Sequence, residues 1–185
     1  MEAIQSVMTI EDCRRLIRDI PDFPKKGVVF KDITPLLKDG PCFREVVDRI
    51  ALMCTANRLT PDVLACPEAR GFIFGAALAY RLGVGFVPIR KPRKLPYRTS
   101  NVQYQLEYGW DSVEMHTDAL VTGQRVLLVD DLLATGGTTA ACAELVEKAG
   151  ASVVGCVFLV ELDFLSGRKR LLKYPTFSLI HYPEP

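Results

Sequence analysis

The sequence is poor in the features that mark metal sites, membrane spans and nucleic-acid surfaces. Its 185 residues include two histidines, and its six cysteines are scattered without a C-x-x-C pair, which argues against a zinc site. No apolar run approaches the roughly 20 residues that a membrane-spanning helix needs. The formal net charge is +1, so no excess of charge favours nucleic acid or an anionic membrane as a partner.

The start of the chain and its cysteines predict a cytoplasmic protein. The first residues carry Glu2, Glu11 and Asp12 without a long apolar core, so no signal peptide is expected. Most cysteines lie among apolar neighbours, as small core residues of a reducing compartment do. With 49% apolar residues, the chain has the composition of a globular protein, and we expect a single domain over residues 1–185.

Strand and helix patterns alternate along the chain. Short apolar runs predict buried strands at 63–66, 85–89, 126–129, 153–160 and 179–181. Apolar periodicity predicts helices at 9–20, 42–57, after Gly71 as far as Gly83, and 138–149. Alternation of this kind predicts an α/β fold whose central, mainly parallel sheet is flanked by helices.

The first two helices show clear apolar faces. For 9–20, Thr9 is the expected N-cap with Asp12 three residues on, and the prolines from Pro21 stop the helix. For 42–57, the expected apolar positions are Phe43, Val46, Val47, Ile50 and Leu52.

The most informative stretch is R-V-L-L-V-D-D-L-L-A-T-G-G-T-T, from Arg125 to Thr139. A buried strand ends in Asp130 and Asp131, a turn of small residues follows, and a helix begins near Thr138. Glycines let a backbone approach a phosphate closely, and the first N–H groups of a helix attract an anion. Carboxylates at the strand end could accept hydrogen bonds from ribose hydroxyls. Neither G-x-G-x-x-G nor G-x-x-x-x-G-K-[ST] is present, so a dinucleotide fold and a P-loop are not supported.

Two other strand ends carry cations. Arg70 follows the strand at 63–66 and is either a surface arginine or an anion ligand. The run R-K-P-R-K-L-P-Y-R after Ile89 has the composition of a solvated face, but its place at a strand end also suits a polyanion such as pyrophosphate.

Two extended segments have both a structural and a functional interpretation. Residues 28–30 could cap the core, or their backbone edge could pair with a flat heterocycle. Residues 101–116 alternate apolar and polar side chains and predict a β-hairpin over the site. By pattern alone, Glu107 in this hairpin is a solvated strand carboxylate.

The stretch V-L-L-V-D-D-L-L-A-T-G-G-T-T resembles the phosphoribosyl-pyrophosphate motif of the type I phosphoribosyltransferases. Within that family, four further segments in the same order are similar to members that use adenine: P-D-F-P-K-K-G-V-V-F-K-D-I-T-P, E-A-R-G-F-I-F-G, V-P-I-R-K-P-R-K-L-P and Y-Q-L-E-Y-G. The resemblance implies the type I phosphoribosyltransferase fold with a hood, about residues 91–116, over the site. It also implies a pentosyltransferase that moves phosphoribose from phosphoribosyl pyrophosphate to adenine N9, giving AMP and pyrophosphate in purine salvage.

The resemblance assigns a role to each candidate residue. Ribose hydroxyls would bind Asp130 and Asp131, and the 5′-phosphate would bind Ala134, Thr135, Gly136, Gly137 and Thr138. Ala69 and Arg70 would form the pyrophosphate loop, where the family often has a cis peptide, and Lys91 and Lys94 would assist in binding pyrophosphate. Adenine would bind Val29, Phe30, Lys31 and Leu132, and the residues expected at the reacting atoms are Glu107, Tyr108 and Arg70.

Further expectations concern partners. Mg²⁺ would be held mainly through the substrate without a direct protein ligand, and the family forms homodimers. The chain departs from the family pattern at Arg93, where glycine is common, and at Lys31, where arginine is frequent. Two other functions fit the motif: a transferase for another purine, and a regulator that senses phosphoribosyl pyrophosphate or a nucleotide on the same fold.

Overall fold

A computed structural model of the protein describes residues 8–105 and 109–185. In this part of the chain, the α-helices are α1 Ile10–Arg15, α2 Thr34–Lys38, α3 Gly40–Ala56, α4 Gly71–Leu82 and α5 Gly137–Lys148. The strands are β1 Arg18–Pro21, β2 Val29–Asp32, β3 Val63–Pro67, β4 Gly85–Ile89, β5 Thr99–Gln105, β6 Trp110–His116, β7 Arg125–Leu133, β8 Ser152–Leu162 and β9 Thr176–Tyr182. Short 3₁₀ helices follow β8 at Asp163–Leu165 and Gly167–Arg170.

Among the described residues, five parallel strands form the central sheet in the order β4-β3-β7-β8-β9. Helix α4 connects β3 to β4, and α5 connects β7 to β8. The predicted α/β class and parallel sheet are therefore confirmed. Because the strands are parallel, the carboxyl ends of β3, β4 and β7 lie side by side at one edge, where open α/β sheets bind ligands.

The central strands bury both of their faces. In β3, Leu64 and Cys66 pack with α1, α3 and α4, whereas Val63 and Ala65 pack on the opposite face with α5 and the β5–β6 hairpin. Successive side chains of a strand point to opposite faces. This explains why the strands read as continuous apolar runs rather than as alternating ones.

The predicted helix at 9–20 is too long. Thr9 caps α1 with the expected capping box to Asp12, but α1 ends at Arg15. Residues 18–21 instead form β1, which pairs antiparallel with β2. Apolar periodicity could not reveal this strand, because its stability comes from backbone hydrogen bonds to a later segment.

Helix α3 agrees with the prediction except at one position. Val46, Val47 and Ile50 are buried as expected, but Leu52 is 61% exposed. Ala51 and Cys54 take part in the buried stripe instead. Helix α2 was not predicted.

The predicted hairpin is confirmed as the antiparallel pair β5–β6. Its inward side chains Val102, Tyr104, Val113 and Met115 are buried against the α5 side of the sheet. Main-chain hydrogen bonds between Arg90 and Glu114 attach the hairpin to the end of β4.

All six cysteines are free and buried. Burial raises the pKa of each thiol, so all six remain protonated at neutral pH and act as packing residues. In the described part of the chain, no helix has the length and apolar character needed to cross a membrane.

Asp32 holds β2 against β1, and we expect it to make stability depend on pH. Its carboxylate accepts hydrogen bonds from Arg18 at 2.6 Å and from the Thr34 N–H at 2.9 Å and hydroxyl at 2.7 Å. These lower its pKa from 3.8 to about 2. Because the folded-state pKa is depressed, the stabilisation is complete above about pH 4 and is lost as the pH falls through about 2.

Asp32→Asn should therefore be less stable than the parent protein at about pH 6, with a difference that shrinks towards about pH 2. Urea denaturation at a series of pH values measures this, with the exposed Asp118→Asn as the control. A difference independent of pH would show that the Asp32 charge contributes nothing.

Candidate active site

A cleft of about 230 Å³ opens at the carboxyl ends of β3, β4 and β7. The predicted site residues that line it are Ala69, Arg70, Lys91, Asp130, Asp131, Leu132, Ala134, Thr135, Gly136, Gly137 and Thr138. The three strand ends that the sequence assigned separately to sugar phosphate and pyrophosphate thus border a single cleft.

The turn after β7 has the form of a phosphate site. Gly136 is the N-cap of α5 with φ = +78°, a left-handed conformation that costs little only for glycine. A Cβ at Gly136 would lie 2.5 Å from the Gly167 carbonyl oxygen, so this position needs glycine for space as well as for conformation. The first N–H groups of α5 have no partner within the helix, and they offer donors for an anion.

The two acids lie inside β7, which continues to Leu133 beyond the predicted strand end, and they are held differently. The Asp131 side chain is 5% exposed and forms an ion pair with Arg70 at 2.9 Å. Asp130 accepts a hydrogen bond from the Asp131 N–H at 2.8 Å. Gly71 lets α4 approach this pair, since a Cβ there would lie 2.9 Å from Asp130 Oδ1.

Burial and the neighbouring Asp131 charge raise the pKa of Asp130 well above 3.8. Burial also raises the pKa of Asp131, although the Arg70 guanidinium opposes that shift. Two buried carboxylates so close together repel each other. Groups that donate hydrogen bonds to them, such as ribose hydroxyls, would relieve this repulsion.

Three cationic residues surround Glu68, which directly follows β3. Its carboxylate accepts hydrogen bonds from the Lys91 N–H at 2.7 Å and the Arg90 Nε at 2.9 Å, and it pairs with Lys94 Nζ at 3.0 Å. Burial raises the pKa of Glu68, but these hydrogen bonds outweigh burial and leave it lowered. The Glu68–Ala69 peptide is cis. Glu68 therefore gathers the start of the basic run beside the cleft, while Lys94 itself is outside the cleft lining.

A chain of polar contacts joins the hood to residues 134–138, the turn after β7 and the start of α5, called the phosphate turn below. Lys91 Nζ donates to Asp111 and, at 2.9 Å, to the Tyr104 hydroxyl. That hydroxyl also lies 3.0 Å from Asp111 Oδ2 and 3.1 Å from Thr138 Oγ1. The contacts connect a predicted pyrophosphate lysine with a predicted 5′-phosphate residue.

Residues 29–31 of β2, the segment predicted to bind the base, lie beside the cleft rather than in its lining. The Arg70 guanidinium stacks on the Phe30 ring, 5.1 Å from its centroid, and so brings β2 next to the Arg70–Asp131 pair. The Lys31 ammonium is turned elsewhere, 2.9 Å from Asp19 and over the Tyr182 ring. For Lys31, only a backbone contact with a base is compatible with this arrangement. Val29 belongs to the same strand.

Two predicted residues, Glu107 and Tyr108, lie outside the described residues. Arg93 adopts φ = +65°, the conformation that glycine prefers, at a cost of roughly 1 kcal/mol for arginine. The positive φ agrees with the family pattern, in which glycine is common at the position of Arg93.

Sequence reasoning missed several residues around the cleft. Arg90 and Thr139 line it, and Tyr104 and Asp111 connect its two sides. The inward position of Tyr104 was visible in the alternation of the hairpin. Asp111 was not recognisable, because its role depends on the register that places it opposite Tyr104.

Comparison with known proteins gives a consistent result. Residues 36–182 match the family model described as "Phosphoribosyl transferase domain". Adenine phosphoribosyltransferase of Thermoanaerobacter sp. strain X514 is 57% identical over 175 residues, which cover 95% of this chain and 100% of the relative.

Solved structures agree with these matches. Adenine phosphoribosyltransferase of Thermoanaerobacter pseudethanolicus superposes with a TM-score of 0.91 at 56% identity, covering 94% of this chain and 100% of the other. The Saccharomyces cerevisiae enzyme, in complex with D-2,5-dideoxy-2,5-imino-altritol 1,6-bisphosphate and adenine, gives a TM-score of 0.88 at 38% identity, with 92% and 97% covered. Together with the strand-end cleft, these similarities show that the chain belongs to the adenine phosphoribosyltransferases of the phosphoribosyl transferase domain family.

Proposed function

We propose that the protein transfers phosphoribose from phosphoribosyl pyrophosphate to N9 of adenine and releases AMP and pyrophosphate. The observation that carries this proposal is the meeting of the phosphate turn, the acid pair and Arg70 in one cleft. The adenine in the yeast relative's structure supports the choice of base. The role in purine salvage follows from the products.

The charges of the cleft suit the reaction. As the bond from the sugar C1 to pyrophosphate breaks, positive charge grows on the sugar and negative charge on the leaving group. Arg70, Lys91 and Lys94 would bind the leaving pyrophosphate, and Ala69 would offer its backbone to it. The acid pair Asp130 and Asp131 would hold the ribose hydroxyls, and the turn from Ala134 to Thr138 would hold the 5′-phosphate.

The base would lie between β2 and the cleft. The backbone of Val29 would pair with the adenine edge, Phe30 would stack on the ring, and Leu132 would cover it from the cleft side. The stacking of Arg70 on Phe30 supports this placement, because it joins the base segment to the acid pair.

We propose Mg²⁺ as the cofactor, bound mainly to substrate oxygens. Mg²⁺ prefers oxygen ligands and usually keeps several waters, so phosphate and hydroxyl oxygens of the substrate could hold it in the cleft without a direct bond to Asp130 or Asp131. Asp131 already pairs with Arg70, which accords with an ion held mainly by the substrate. When bound, Mg²⁺ would neutralise charge on the pyrophosphate.

We also propose a cytoplasmic homodimer. The free thiols suit a reducing compartment. Leu52 on α3 and Tyr80 on α4 are 61% and 92% exposed, and apolar side chains presented by neighbouring helices suit a protein interface. Light scattering would decide the oligomeric state, with a monomeric mass contradicting the proposal.

A competition assay tests the proposed function and its alternatives. Purified protein with phosphoribosyl pyrophosphate and Mg²⁺ receives labelled adenine, hypoxanthine, guanine and xanthine together, and a chelator provides the metal-free control. We expect AMP as the dominant product and none after chelation. Preference for another base would indicate a sister transferase, and specific DNA binding that responds to phosphoribosyl pyrophosphate would indicate a regulator.

Replacement of Glu107 by glutamine should lower turnover by about 10²-fold or more with little change in substrate binding. The reason is that its carboxylate would stabilise the positive charge on the sugar or accept the N9 proton. Steady-state kinetics measure this, and Glu144→Gln removes an exposed carboxylate of α5 as the control. Unchanged turnover would mean that Glu107 is a solvated strand residue, and Tyr108→Phe tests its neighbour in the same way.

A further inference from the structure

Lys91 is held by two side chains of the hairpin rather than extending into solvent. Its ammonium donates to Asp111 of β6 and to the Tyr104 hydroxyl of β5, and its side chain is 34% exposed. Lys91 lines the cleft, whereas Asp111 does not. Asp111 is therefore placed to act on a cleft ligand through Lys91, which it holds.

Tyr104 extends this contact to the phosphate turn. It is 8% exposed and stands directly opposite Asp111 in the β5–β6 register. Its hydroxyl lies 2.9 Å from Lys91 Nζ, 3.0 Å from Asp111 Oδ2 and 3.1 Å from Thr138 Oγ1. One buried hydroxyl thus connects the pyrophosphate side of the cleft with the 5′-phosphate side.

The Lys91–Asp111 pair is charged at neutral pH. Burial lowers the pKa of Lys91, but Asp111 and Tyr104 outweigh burial and leave it raised. Burial raises the pKa of Asp111, but hydrogen bonds from Lys91, the Ser112 N–H and Tyr104 leave it lowered. A charged lysine confined by two partners loses less side-chain entropy when it binds an anion than a free lysine does.

We propose that Asp111 is a positioning residue, which confines Lys91 at the cleft for pyrophosphate, and that Tyr104 couples this lysine to the 5′-phosphate turn. The inference rests on the proposed function, because it takes Lys91 as a pyrophosphate ligand. The positioning role also predicts the sign of the effect. If Asp111 acted only through its negative charge, its removal would strengthen the binding of an anion; if it positions Lys91, its removal weakens that binding.

Calorimetric titration with pyrophosphate and with ribose 5-phosphate, in Mg²⁺ and without adenine, tests this proposal. Asp111→Asn should weaken pyrophosphate binding about tenfold and change ribose 5-phosphate binding by less than about twofold. Tyr104→Phe should weaken the binding of both ligands, because it also removes the contact with Thr138. The control Asp118→Asn removes the same charge from an exposed turn and should leave both affinities unchanged.

A double-mutant cycle separates positioning from a general structural effect. In a Lys91→Met background, Asp111→Asn should have almost no further effect on pyrophosphate binding, since the residue through which it acts is gone. Additive losses, or tighter pyrophosphate binding in Asp111→Asn, would overturn the proposal. Circular dichroism confirms that each variant is folded. Because these titrations need no turnover, a protein that failed to use adenine would refute the proposed function and leave this test intact.

Discussion

Replacement of Asp131 by asparagine is expected to lower kcat/KM for phosphoribosyl pyrophosphate by about 10²-fold. The buried Asp131 carboxylate balances the charge of Arg70 at 2.9 Å and would accept a hydrogen bond from a ribose hydroxyl. A hydrogen bond to a charged group contributes about 1.5–3 kcal/mol. The variant also releases Arg70, which stacks on Phe30, so sugar, pyrophosphate and base contacts are all weakened.

A matched ion pair at the opposite end of the same two strands provides the control. Asp62, just before β3, pairs with Arg125 at the start of β7 at 2.6 Å. Asp62→Asn removes the same charge from a more exposed Asp–Arg pair and should leave kcat/KM within about twofold. Steady-state kinetics with varied phosphoribosyl pyrophosphate measure both variants. Equal losses in the two would show that Asp131 supports the fold rather than the substrate.

Replacement of Gly136 by alanine is expected to raise KM for phosphoribosyl pyrophosphate at least about tenfold and to destabilise the protein by about 2–4 kcal/mol. The φ of +78° is unfavourable for alanine, and its Cβ would lie 2.5 Å from the Gly167 carbonyl oxygen. The backbone must therefore move, and its N–H groups would move away from the position proposed for the 5′-phosphate. Kinetics and thermal denaturation report the two effects.

Gly123→Ala separates the effect of the unfavourable φ from the effect of the contact with the Gly167 carbonyl oxygen. Gly123 has nearly the same conformation, φ = +85°, but a Cβ there meets no atom within 4 Å. The Gly123→Ala variant should therefore lose only about 1–2 kcal/mol of stability, from the unfavourable φ, and its KM should not change. If both variants lost equal stability and both retained KM, the contact with Gly167 would have no role in shaping the phosphate turn.

Much of the site could be predicted because its parts are local. An apolar run, two acids, a turn of small residues and a helix start follow one another along the chain, and the structure shows β7, the turn at Gly136 and α5 in that order. The hairpin was predictable for the same reason, since alternation is a property of neighbouring residues. Strand β4 begins and ends where the apolar run does.

The predictions that failed depend on contacts between residues far apart in sequence. Helix α1 was predicted too long because Ile17 and Ile20 continue its apolar period, whereas β1 forms through backbone pairing with β2. Leu52 continued the apolar pattern of α3 but is 61% exposed. The 3₁₀ segment that supports the phosphate turn through Gly167 was not recognised, because its contact joins distant parts of the chain.

The sequence by itself determined the family, the α/β class and the types of residue around the cleft: glycines suited to a phosphate, acids suited to ribose hydroxyls and cations suited to pyrophosphate. Only the tertiary structure decided how these groups act on one another. Parallel pairing brings Arg70 to Asp131, and the hairpin register places Tyr104 between Lys91 and Thr138. An ion pair with Asp19 holds the Lys31 ammonium. Such contacts depend on distances between residues far apart in sequence, which the order of amino acids does not show until the chain is folded.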